Sequence, residues 1–86
     1  DMGTPIGLFN AVKARLSQLN KTNWIDSKAS LGNNVLIGEN VVIHQDTFVG
    51  DSAHLENVVI LPGAKLEPSQ VYKNQIVGKN FTWGLE

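Results

Sequence analysis

An apolar residue stands at every sixth position from Ile25 to Leu55: Ile25, Leu31, Ile37, Ile43, Val49 and Leu55. Ile, Leu and Val make up 24 of the 86 residues, so six hits in a fixed phase arise by chance about five times in ten thousand. A second column four residues on is small or β-branched: Ala29, Val35, Val41, Thr47, Ala53 and Val59. Neither an α-helix nor an alternating strand has a period of six. Hexapeptide repeats of this kind build a parallel β-helix, in which each repeat supplies one short strand and one turn.

The intervening stretches carry turn chemistry. Gly32, Gly38 and Gly50 directly follow a column residue, and Asn33, Asn34, Asn40, Asp46 and Asp51 lie nearby. Gly, Asn and Asp tolerate φ > 0, which a chain needs when it turns a corner every few residues. The unit Leu55–Val59 is one residue short, and the pattern restarts at Ile60. Seventeen residues on, Tyr72–Ile76 repeats that shortened unit before Val77. Three repeats per coil then stack Ile25, Ile43, Ile60 and Val77 in one column. Leu31, Val49 and Leu66 form the second, and Ile37, Leu55 and Tyr72 the third. This register lays Asn57 over Asn74, close enough for a side-chain hydrogen bond. About three coils result, a little more than the minimum such stacking requires.

A helix precedes the repeats. Thr4 is a good N-cap, Pro5 suits the first helical position, and Asn20 supplies a stop. Phe9, Val12, Leu16 and Leu19 form its apolar stripe, flanked by Ile6 and Leu8. A helix of about 15 residues does not hold itself together in water. Its stripe is expected to cover the open first coil, with Trp24 at the junction, or else to meet a partner domain or a second copy. Phe81, Trp83 and Leu85 are expected to cover the far end, where strand edges would otherwise be free. Val42, Phe48, Val58 and Val71 fall outside the inward columns, and Phe48 is the first choice for a contact residue on an outer face.

Net charge is −1 with no basic run, which argues against nucleic acid and anionic membranes as partners. There is no cysteine and hence no disulfide framework or thiolate metal site. No apolar stretch reaches spanning length and no signal peptide opens the chain, so a cytoplasmic protein is expected. The start at Asp1 rather than Met reads as a fragment or a processed product.

The opening Asp1-Met2-Gly3-Thr4-Pro5 resembles the D-[ILMV]-G-[TQ]-P segment that closes the catalytic domain of sugar-nucleotide pyrophosphorylases. The stretch from Leu55 to Leu66 is similar to the shortened coils of mannose-1-phosphate guanylyltransferase-like members. The resemblance implies a mainly β fold: a left-handed parallel β-helix of about three coils preceded by one N-terminal α-helix. It divides the chain into residues 1–4, the tail of a missing nucleotidyltransferase domain; 5–21, a linking and capping helix; and 24–86, the β-helix domain. It implies an enzyme that joins a nucleoside triphosphate to a sugar 1-phosphate and releases pyrophosphate. Mg²⁺ is implied for that parent enzyme, with Asp1 in the position of a metal ligand. One carboxylate does not make a Mg²⁺ site, and the glycine-rich loop and phosphate-binding lysine of the family are absent from these residues. The chain alone is therefore expected not to catalyse nucleotidyl transfer. Its expected role is oligomerisation through β-helix faces, or structural or regulatory support of its own missing N-terminal catalytic domain. The alternative is a hexapeptide-repeat acyltransferase, which would need a histidine general base, His44 or His54. Both histidines are expected to be outward-facing surface residues, since each adjoins an inward column residue.

Overall fold

The computed structural model describes residues 3–85. The elements are α1 (Pro5–Gln18), β1 (Asn23–Ile25), β2 (Ser30–Leu31), β3 (Leu36–Ile37), β4 (Val41–Ile43), β5 (Phe48–Val49), β6 (His54–Ile60), β7 (Lys65–Leu66), β8 (Val71–Val77) and β9 (Thr82–Gly84). Strands β1 to β8 wind into about three stacked coils, and all their pairings are parallel. The coil has three flat faces. The first carries β1, β4 and the second halves of β6 and β8; the second carries β2, β5 and β7; the third carries β3 and the first halves of β6 and β8.

The register is the one that the six-residue period predicts. Ile25 pairs with Ile43, Ile43 with Ile60, and Ile60 with Val77. Leu31, Val49 and Leu66 are aligned on the second face, and Ile37, Leu55 and Tyr72 on the third. Ile43, Val49, Leu55 and Ile60 have no exposed surface. Thr47 is the one buried polar residue among those described, and its hydroxyl donates to the His44 carbonyl at 3.0 Å. Tyr72 satisfies its own hydroxyl at the coil corner, where it accepts from the Glu67 N–H at 2.8 Å.

Val59 departs from the predicted second column. Val58 aligns with Val41 in the interior, whereas Val59 aligns with Val42 and faces outward. The corner at Asn57 lacks one residue, so alternation in the strand is set by the next inward residue, Ile60, rather than by a count from Leu55. Val58 for the same reason is interior, not an outer-face residue.

The corners turn on αL residues, but not on the glycines singled out from sequence. Asn34, Ser52 and Ser69 have φ of 58 to 60°, Asn40, Asn57 and Asn74 of 48 to 57°, and Asp46 of 58°, stacked corner over corner. Gly63 is the one glycine with positive φ among the described residues. Gly50 serves a different need: a Cβ there would lie 2.5 Å from the Pro68 backbone nitrogen in the next coil. Coil-to-coil approach excludes a side chain at that position.

Helix α1 begins as expected, with the Thr4 hydroxyl accepting from the Gly7 N–H at 3.1 Å and Pro5 at the first position. It ends in a Schellman turn: Asn20 has φ 56°, Lys21 N–H donates to the Leu16 carbonyl and Asn20 N–H to that of Ser17. The helix does not plug the open first coil. It lies along the outside of the first face, where Phe9 and Leu16 pack on Val42, Val59 and Ile76. That outer column is wholly apolar, and a parallel sheet stabilises best with both faces covered. The open end stays bare, with Ile25 and Leu31 about two-fifths exposed. At the far end β9 pairs antiparallel with β8, Ile76 opposite Trp83, and closes that strand's edge.

Candidate functional site

The residue immediately before each inward column residue points outward, and these positions define three surfaces. On the first face they are Trp24, Val42, Val59 and Ile76, beneath α1. On the second they are Ser30, Phe48 and Lys65. On the third they are Leu36, His54 and Val71, in direct register. No element of the described chain lies over the third face, and Leu36 and Val71 are 61% and 59% exposed. A parallel sheet that shows two exposed aliphatic side chains, Leu36 and Val71, on either side of the His54 ring is the arrangement that an additional packing partner would complete.

Phe48 is also exposed, but its stacked neighbours Ser30 and Lys65 are polar, so it stands alone. Val42 is covered by α1. Leu36 escaped the sequence reading, although its place directly before Ile37 marks it as outward by the same rule that places Val71. Beside the third face, Glu56 and Lys73 form a 3.4 Å ion pair, both about two-fifths exposed or more and worth little to stability.

The two histidines lie on different faces. His44 is half-buried, with its ring edge-on to Trp24 at a centroid distance of 5.7 Å. His54 is half-buried in the third-face column between Leu36 and Val71. No hydrogen bond joins either imidazole to a carboxylate among the described residues, so neither has the orienting partner that a general base uses. Asp1 lies outside the described residues. Among those described, no three His, Cys, Asp or Glu side chains gather where they could hold a metal ion. No helix among them is long and apolar enough to cross a membrane.

At one corner the three asparagine amides form a ladder: Asn40 Nδ2 donates to Asn57 Oδ1 at 3.1 Å, and Asn57 Nδ2 to Asn74 Oδ1 at 3.2 Å. Asn23 fastens the same corner from above, donating to the Gly38 carbonyl and accepting from the Val41 N–H. These bonds fix the angle between the first and third faces.

Three stacked parallel coils, with one helix laid along an outer face, fit a class of domain: the C-terminal β-helix domain of a sugar-nucleotide pyrophosphorylase. The chain matches the model of the family described as GMPPB C-terminal domain over residues 19–85, and it belongs to that family. No curated protein and no solved structure matched the chain.

Proposed function

We propose that this domain assembles its parent enzyme, a cytoplasmic sugar-phosphate nucleotidyltransferase, by packing the third β-helix face against the same face of a second copy. The parent reaction joins a nucleoside triphosphate to a sugar 1-phosphate and releases pyrophosphate. That chemistry belongs to an N-terminal catalytic domain, to which this domain contributes support and at most Asp1 as one Mg²⁺ ligand.

The uncovered column Leu36–His54–Val71 carries this reading. A two-fold contact of flat faces would bury both columns and give the sheet its missing cover. Sedimentation of the chain tests it. Self-association is expected for the native sequence and is lost in Val71→Glu, with Ser30→Glu on the second face as the control. The thermal midpoint of Val71→Glu should stay near that of the control, because an outward change far from the core costs within ~0.5 kcal/mol. A native chain that stays monomeric, or a Val71→Glu variant that associates like the control, would overturn the proposal.

A further inference from the structure

Helix α1 runs across the coils from the last toward the first. Its early residues Ile6, Phe9 and Lys13 border Asn57, Asn74 and Leu85, and its later residues border Trp24, Val42 and His44. The helix seals the first face over Val59 and Ile76 but not over Trp24, which stays half-buried. Between its last turns and the first two coils it leaves a cleft of about 330 Å³.

The apolar lining of the cleft is Val12, Leu16, Leu19, Trp24 and Val42. Two polar side chains reach it, Arg15 and His44, and no carboxylate lines it. The Arg15 guanidinium makes one hydrogen bond among the described residues, Nη1 to Gln18 Oε1 at 3.3 Å, and has no acidic partner there. Its other N–H donors are free to meet a ligand. The Trp24 and His44 rings, in edge contact at 60° to each other, both line it.

An apolar lining, two aromatic rings and a guanidinium without an acidic partner complement a flat apolar body that carries one anionic group. The volume sits at the low end of small-molecule sites and admits a ring system of about two fused rings. We propose that this cleft is a binding site for a small planar aromatic anion, held by stacking on Trp24 and by charge-assisted hydrogen bonds from Arg15. The cleft shares no residue with the third-face column Leu36, His54 and Val71.

Titration of the ¹⁵N-labelled chain with naphthalene-2-carboxylate, and with its neutral counterpart naphthalene-2-carboxamide, tests this. Saturable shifts are expected at the Trp24 indole N–H, Leu19, Val42 and His44, with the carboxylate binding about tenfold more tightly than the amide. Arg15→Met keeps the apolar stem and a good helix former. It should erase the preference for the carboxylate and leave the affinity for the amide unchanged. The unperturbed β5 and β7 signals report that the variant is folded. Absence of saturation with both probes would overturn the proposal. So would shifts scattered over Leu36, Val71 and the open first coil, equal affinity for the two probes in the native chain, or a carboxylate preference that survives in Arg15→Met.

Discussion

At Asn57 the backbone turns through φ 48° while the side chain accepts from Asn40 and donates to Asn74. These two contributions separate by mutation. Asn57→Gly keeps the left-handed turn and loses the amide ladder. Asn57→Ala loses both, and a Cβ in the left-handed region costs about 1–2 kcal/mol. The Ala variant should therefore melt lower than the Gly variant by that margin, as read by denaturant unfolding. Equal midpoints would mean that the ladder alone holds the corner. Interior columns give a larger effect. Ile43 and Ile60 are stacked and fully buried, so truncation of either to Ala should cost ~2–5 kcal/mol. Lys28 and Lys65 are exposed, and Ala there should cost within ~0.5 kcal/mol. Overlap of the two sets in thermal melts would contradict the six-residue register. The inward columns were readable from sequence because one period governs them. The exception, Val59 in place of Val58, arises where the short corner breaks that period. The role of the glycines is not legible for another reason: it is set by a neighbouring coil 17 to 19 residues on, which local turn chemistry does not reveal.

At the scale of elements, α1 is a cover for the sheet and not a plug for its end. Thr4, Pro5 and Asn20 mark both ends of the helix in the sequence, and Phe9 and Leu16 mark its buried stripe. Its destination was not readable from the stripe alone, since an apolar helix face fits an open coil end and an apolar sheet face equally well. The signal lay in the positions just before each inward residue, where Trp24, Val42, Val59 and Ile76 repeat on one face only. The same positions hold Leu36, His54 and Val71 on the third face, so the candidate contact was written in the sequence too, one residue out of phase with the columns that drew notice. Because Leu16 is buried against the sheet, Leu16→Ala should destabilise the whole domain by ~2–5 kcal/mol in a single transition. If circular dichroism instead showed the helix melting first with the β-signal intact, α1 would be an appendage and the first face would be stable bare.

Across the whole molecule, stability should grade from the open end inward, because each coil of a solenoid leans mainly on its neighbours. The first coil has a neighbour on one side, and its inward residues Ile25 and Leu31 are about two-fifths exposed. The second coil, around Ile43, Val49 and Leu55, is packed on both sides and has no exposed side-chain surface at those positions. The two coils make the same kind of backbone bond: Gly32 N–H donates to the Val49 carbonyl at 2.8 Å, and Gly50 N–H to that of Leu66 at 2.9 Å. Equal hydrogen-bond geometry with unequal packing makes this pair of amides a clean comparison, since any difference in protection comes from the coils and not from the bonds themselves. Native-state hydrogen exchange on the monomer should show Gly32 opening at a lower free energy than Gly50, through a local opening of the first coil. Ile25→Ala should follow the same gradient and cost less than Ile43→Ala, although the two residues share one column and one chemistry. Equal protection of Gly32 and Gly50 would show that the three coils unfold as one unit. The bare first end would then be held by the coil beneath it as firmly as the centre is, and the exposure of Ile25 and Leu31 would carry no energetic consequence.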